Sequence, residues 1–384
     1  MIRAKIRGYS QSFFWVFITY LLSPVLYLQI FLKRKKTSSD LKILIIQIGK
    51  IGDMICTTPL FREIKKKFPE SRLDVIIIPR SQDILKNNPH INRTILITDY
   101  PRLADKFKLI NKLRKERYDW ALSLDIAGAF LNILAFWSLI PSRITMTYKH
   151  AGEIMQSLFI FSNFRLEYKR GTSVLEHRLS LLKFMGIENP SEQKEVFFTP
   201  DEEKKAADFL QSQGISNREK LIGISVSAGI KETEWEVARF AELADRLTDE
   251  LGAEVVFIGS KSDQSRINQV QNLMKNRTVD SSSHFALREV AALMKNFKLL
   301  ISVDSGPVYI ADALNVPIID IMGPSDLKEQ SPSGRSIIIK TADCGPCLFV
   351  FTGARSPFCK NRSFRCLSGV TVQEVFQAAK NLIS

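Results

Sequence analysis

Lys42–Asp53 reads KILIIQIGKIGD and Lys298–Pro307 reads KLLISVDSGP. In each, an apolar run (Lys42–Ile48, then Lys298–Val303) gives way to a glycine turn, and a helix-patterned stretch follows. Strand, glycine turn, helix is how an open α/β sheet brings backbone N–H groups and a helix N-terminus up to an anionic ligand. One such unit is common. Two of them, one per half, predict two Rossmann-like α/β domains facing each other across a cleft.

The flanking sequence fits that reading. Strand patterns recur at Leu73–Ile78, Thr94–Thr98 and Trp120–Leu124, with helical periodicity over Met54–Lys67, the basic Leu103–Glu116 and Glu176–Met185. The second half restarts with strands Leu221–Val226, Glu254–Ile258, Leu299–Val303 and Val316–Met322. Helices are expected over Val237–Leu251, Ala286–Asn296 (capped by Ser283), Pro307–Leu314 and Thr371–Ile383. Alternation on this scale implies a largely parallel sheet in each half. The expected organisation is an N-terminal segment over 1–37, a first domain over 41–190 and a second over 195–384, with the boundary near 187–200.

The chain has 384 residues, 45% hydrophobic and 24% charged, which fits two folded domains and excludes wholesale disorder. Its formal charge of +14 is unevenly spread. Arg3, Lys5, Arg7 and Lys33–Lys36 carry +7 in the first 36 residues, where no acid occurs. That concentration suits an anionic membrane surface rather than a polynucleotide groove. Between the clusters, Phe13–Leu32 (FFWVFITYLLSPVLYLQIFL) is twenty residues without a charge. As a helix it would be about 30 Å long, the thickness of a hydrocarbon core, with Ser23-Pro24 expected to kink or split it. The sequence leaves spanning, in-plane and buried placements open.

Asp53 stands just past a strand's C-terminal end, where a carboxylate can take the proton of an attacking hydroxyl, or simply cap a helix. Gly49, Gly52 and Thr57 belong to the same loop and the turn after it. In Asp304-Ser305-Gly306 the glycine allows close backbone approach to a phosphate and the serine offers a donor; an ordinary β-turn-α connection uses the same residues. Ser225–Gly229 (SVSAG), with Ser227 at its centre, is a third small-residue loop. Asp263 follows a strand and is either a ribose ligand or a solvated loop charge. Cys344 and Cys347 form a CxxC pair, with Cys359 and Cys366 beyond it, and suggest a structural zinc site or a set of free thiols. Cys56 reads as a buried thiol. Neither glycine loop completes G-x-G-x-x-G, which disfavours a nicotinamide oxidoreductase. No H-x-x-x-H pair supports a catalytic zinc.

Four segments carry a resemblance: IGKIGDMICTTP (48–59), SAGIKETEWEVARFAELADRL (227–247), DSGPVYIADALNVPIIDIMGPSD (304–326) and the late cysteines. Over roughly residues 41–384 the chain resembles the lipopolysaccharide heptosyltransferases of glycosyltransferase family 9. The resemblance implies a GT-B architecture and inverting, metal-independent transfer with no catalytic cofactor. It implies a nucleotide-sugar donor, an ADP-sugar above others, and a lipid-linked acceptor at the cytoplasmic face of the inner membrane. By the same resemblance Asp53 is the general base, Asp304, Ser305 and Gly306 lie beside the donor diphosphate, and Asp263 falls near an acidic position that reads the donor. Two departures stand out. Tyr309 occupies the place of a histidine, and Thr233 that of a lysine, with Lys231 nearby as a substitute. They keep a donor-switched or inactive nucleotide-sugar-binding protein as the alternative.

Overall fold

The computed structural model describes residues 2–32 (2–10 by backbone alone), 40–98, 101–125, 128–149, 151–215, 218–229, 234–341, 344–348, 359 and 365–383. Two compact units emerge. The first comprises Met1–Lys50, Thr57–Gln82 and Asn88–Glu192, and the second Ile51–Cys56, Asp83–Asn87 and Gln193–Ser384.

The sheet of the first unit contains β1 (Lys42–Ile46), β2 (Arg72–Ile77), β3 (Arg93–Leu96), β4 (Trp120–Ser123), β5 (Ser142–Thr147) and β6 (Phe164–Glu167), in spatial order β3-β2-β1-β4-β5-β6. The second unit's sheet has β7 (Leu221–Ser225), β8 (Glu254–Ile258), β9 (Val279–Asp280), β10 (Leu299–Val303), β11 (Ile318–Ile321) and β12 (Ser336–Ile339), ordered β12-β11-β10-β7-β8-β9. Every pairing is parallel. Read from the β9 edge, the second order repeats the first, and both are the doubly wound 3-2-1-4-5-6 order. The strand order reverses between β1 and β4 and again between β7 and β10. Ligands bind such sheets at the carboxyl ends of the strands beside the reversal. The central strands are buried on both faces, so they read as unbroken apolar runs rather than alternating ones.

Three local expectations are corrected. The helix expected over Met54–Lys67 is two, Ile51–Ile55 and Thr58–Lys67. Pro59 has no N–H to give Ile55, so the chain turns there and the Thr57 carbonyl accepts from Leu60 N at 3.0 Å. The helix Leu287–Met294 is capped at Ala286 rather than Ser283, with Glu289 accepting from the Ala286 N–H at 2.7 Å. The N-terminal helix runs unbroken through Pro24, over Ile2–Leu32. Proline frees the Tyr20 carbonyl, and the Ser23 hydroxyl donates to it at 2.9 Å. Lys33–Lys36 and the linker serines Ser38 and Ser39 lie outside the described residues.

Candidate functional site

Within the second unit, β10 ends at Val303 and hands over to Asp304-Ser305-Gly306, the start of helix Gly306–Ala313. Ser305 holds the N-cap position in extended backbone (φ −156°), but its side chain does not cap; its hydroxyl lies 3.1 Å from that of Ser302. The Ser305 side chain therefore leaves the positive dipole end of this helix uncapped, while Pro307 has no N–H and the Val308 N–H donates to the Ser305 carbonyl at 3.2 Å. The Ser325 hydroxyl donates to the Asp304 carboxylate.

Against this helix, in the same unit, packs the short helix Ile51–Ile55. Ile51 lies over Gly306: a Cβ added to Gly306 would stand 3.6 Å from Ile51 Cβ. Gly52 lies on the ring of Tyr309, where an added Cβ would come within 2.7 Å of Tyr309 Cδ2. The glycine is needed for that close approach, not for a left-handed backbone. Asp53 follows, half-buried, in the first turn of its helix rather than at an N-cap. The N-cap position of the longer helix Thr58–Lys67 belongs to Thr57, which is fully buried.

Tyr309 is fixed by its hydroxyl, which donates to the Gln330 carbonyl at 2.7 Å. Desolvation first, then the neighbouring Asp304, Cys56, Asp320 and Asp53, hold that hydroxyl well above its ordinary titration range. Asp320, on β11, is fully buried, and neither of its carboxylate oxygens has a hydrogen-bond partner among the described residues. Burial first, and the Asp304 charge second, push Asp320 well above the carboxylate range, which favours its protonated form. The sequence carried a signal for it: an acid inside the apolar run VPIIDIM.

Beyond β7, the loop that holds Ser227 is stitched by a residue the sequence reading passed over. Arg266 donates to the Val226 carbonyl at 2.8 Å and to the Trp235 carbonyl at 2.5 Å, and pairs with Glu234 at 3.2 Å. Ser227 is half-buried at its centre. Asp263 closes its own turn, accepting from the Ser260 N–H at 2.7 Å and the Ser260 hydroxyl at 2.6 Å. Lys231 and Thr233 lie outside the described residues.

In the first unit, the turn after β1 is latched by Asp125, two residues past the end of β4. The Asp125 carboxylate accepts from Ile48 N–H at 2.5 Å and sits 3.7 Å from the guanidinium of Arg178, which is wholly buried. Ser81 donates to the Gly49 carbonyl at 3.0 Å. Asp125 and Arg178 were not singled out from the sequence, although an acid within two residues of a strand's end is a pattern Asp304 also shows.

Cys344, Cys347, Cys359 and Cys366 are free thiols. Burial raises the Cys366 thiol, with Cys344 and Cys359 as further causes. Among the described residues, however, no three His, Cys, Asp or Glu side chains are grouped so as to hold a metal ion.

This geometry has close parallels. The family model described as "Glycosyltransferase family 9 (heptosyltransferase)" matches residues 106–349. A lipopolysaccharide heptosyltransferase 3 of Escherichia coli is 28% identical over 284 residues, 72% of this chain and 81% of that protein. The crystal structure of a family 9 glycosyl transferase from Veillonella parvula superposes with a TM-score of 0.77 at 23% identity, covering 91% of this chain and 99% of the other. The E. coli ADP-heptose lps heptosyltransferase II gives 0.71 at 22% identity, over 89% and 98%. With a family model covering more than half its length, the chain belongs to glycosyltransferase family 9 and is a glycosyltransferase.

Proposed function

We propose that this glycosyltransferase moves a heptose-like sugar from a nucleotide-diphosphate sugar to a lipid-linked oligosaccharide such as lipopolysaccharide core, with inversion. The observation that carries the reading is the packing of the Ile51–Ile55 turn on helix Gly306–Ala313. The half-buried Asp53 belongs to that turn, and in this reading the start of the helix it packs on receives the diphosphate. The E. coli relative's name specifies ADP-heptose, which makes an ADP-sugar the first donor to try.

In this reading the acceptor oxygen attacks the anomeric carbon while Asp53 takes its proton. The bond from that carbon to the diphosphate oxygen breaks with its electron pair, and the nucleoside diphosphate leaves. The developing charge falls on the positive dipole end of helix Gly306–Ala313, with Ser305 and Ser227 as donors and Lys231 as the nearby cation of the sequence. Helix dipole and hydrogen bonds can carry that charge, so the reaction is read as metal-independent. Asp263 is read as a contact to the nucleotide once its turn opens. The enzyme works at the cytoplasmic face of the inner membrane, where its acceptor is anchored, held there by its N-terminal helix.

Asp53→Asn tests the reading. It keeps the shape but cannot accept a proton, so transfer measured by mass spectrometry of the acceptor should fall about 100-fold or more while donor binding is kept. Near-normal turnover would remove Asp53 from the chemistry. The alternative, a donor-switched or inactive protein, is favoured by one observation: Tyr309, where the family carries a histidine, spends its hydroxyl on Gln330.

A further inference from the structure

The N-terminal helix has two apolar faces, and they have different fates. One faces the first unit. Trp15 and Leu26 are buried there, with Trp15 against the rings of Phe107, Phe130 and Trp137 at centroid distances of 5.0–5.3 Å. The Trp137 indole N–H donates to the buried Thr19 hydroxyl at 2.8 Å. At 100° per residue, Trp15, Thr19 and Leu26 fall within one narrow arc. On the diametrically opposite arc stand Phe13, Phe17, Leu21, Val25, Leu28 and Phe31, which are 53–84% exposed. Among the described residues most exposed large hydrophobic side chains lie on this one helix, and Ile160, 49% exposed beside the Phe161 that packs on Tyr20, extends the patch. From Gln11 to Leu32 there is no charge to interrupt it.

A helix that is apolar all round is a core helix or a membrane helix; this one is half of each. We propose that it lies in the plane of an anionic bilayer surface, its Phe13–Phe31 arc immersed among acyl chains and its Trp15–Leu26 arc fixed to the first unit. This deepens the membrane placement of the proposed function by choosing the in-plane mode. The basic clusters of the sequence, Arg3, Lys5 and Arg7 before the uncharged stretch and Lys33–Lys36 after it, complement anionic head groups at both ends of a helix lying flat.

A spanning helix is incompatible with how this one is docked. Its contacts with the first unit run from Gln11, which accepts from the Lys106 ammonium at 2.8 Å, to Tyr27, whose ring packs on Phe136 at 4.9 Å. The sixteen steps from Gln11 to Tyr27 are about 24 Å of helix. Crossing the bilayer would draw the docked surface in with it, including the Lys106 ammonium and the buried Arg143 guanidinium that lies over Phe136. Charges at that depth are expensive. Lying flat keeps both on the protein side.

The test uses the full-length protein and vesicles of phosphatidylcholine and phosphatidylglycerol. Most of the protein should float with them, and Leu21→Glu with Leu28→Glu should lower the bound fraction at least tenfold with an unchanged circular dichroism spectrum. Tryptophans introduced as F13W, L21W and L28W should be quenched by lipid-attached nitroxides at one shallow depth, measured against the parent protein. A spanning helix would instead spread positions 13 and 28 by roughly 20 Å. Flotation with that spread would overturn the in-plane inference and leave membrane attachment standing. No flotation, or a dimer in solution that L21E/L28E dissociates, would remove both. Donor binding, measured separately, decides the transferase reading whatever the vesicles show.

Discussion

At Gly52 the chain has no room for a methyl group, because the Tyr309 ring already occupies its place. Gly52→Ala should cost about 1–3 kcal/mol of stability by overpacking, and should lower the melting temperature by several degrees. In a Tyr309→Ala background the same change should cost almost nothing. A double-mutant cycle with coupling near zero would mean that the two residues do not press on one another. Asp320 makes a prediction of a different kind. Its folded-state pKa is raised, so its proton binds more tightly in the folded protein, and stability falls as pH rises from about 4 toward that raised value. Asp320→Asn removes the titration. The mutant should gain on the wild type by roughly 1.4 kcal/mol for each pH unit within that window. Calorimetric melting at pH 5 and pH 8 should therefore show a larger advantage for the mutant at pH 8; equal advantages would mean that Asp320 is charged throughout. Asp53 could be picked out by its motif. Asp125 and Arg266 could not, since their importance lies in carbonyls and N–H groups that a linear sequence does not bring together.

Among the elements, the central strands were the most legible. Burial on both faces forces unbroken Ile, Leu and Val runs, which is why β1, β8 and β10 follow their sequence patterns closely. The strands passed over are the short or mixed ones. β6 is FRLE with alternate residues exposed, β9 is two residues long, and β5 carries Ser, Arg and two Thr. The N-terminal helix was legible as apolar but not as docked, because nothing in its sequence separates the arc that meets protein from the arc left exposed. Magnitudes decide how it should behave. Ten large side chains at 38–84% exposure present on the order of 1,000 Å² of apolar surface. Immersing half of it at about 25 cal/mol per Å² is worth roughly 12 kcal/mol. Seven basic residues near an anionic surface add about 1 kcal/mol each, and salt screens them. The apolar term wins, so a high-salt wash should leave the protein on membranes and detergent should release it. Release by 1 M salt alone would reverse that ranking. Deleting residues 1–36 would be a poor probe of membrane attachment. The helix covers Phe136, Trp137 and Phe161, which are now at most 5% exposed, so the truncated protein should aggregate as well as detach.

Across the whole molecule, one design is used twice. Each sheet has the same strand order, and each candidate loop falls after a strand beside the reversal: Gly49–Asp53 after β1, Ser227 after β7, and Asp304–Gly306 after β10. The duplication was legible because the strand-glycine-helix pattern repeats; donor identity was not, because Tyr309 and Thr233 depart from the family pattern and Thr233 lies outside the described residues. Tyr309 now has a physical account. Its ring is the floor on which Gly52 rests and its hydroxyl is committed to Gln330, so it serves the packing of the site rather than reaching for a phosphate. A donor that depends on a histidine at this place should therefore bind weakly, and one that depends on the helix start should bind well. Thermal-shift and calorimetric titrations with ADP-, UDP-, GDP- and CDP-sugars discriminate these. At a hundred times its Kd, the true donor should stabilise the protein by about 2.7 kcal/mol. Gly306→Val, whose branches would meet Ile51, should abolish the shift, while Asp53→Asn should preserve it. If an ADP-sugar produces it, Tyr309→His should tighten binding further, provided Gly52 keeps its seat. If another nucleotide sugar produces it, the tyrosine marks a donor switch. If none does, the donor site is not where the second reversal places it, and the catalytic reading falls with it.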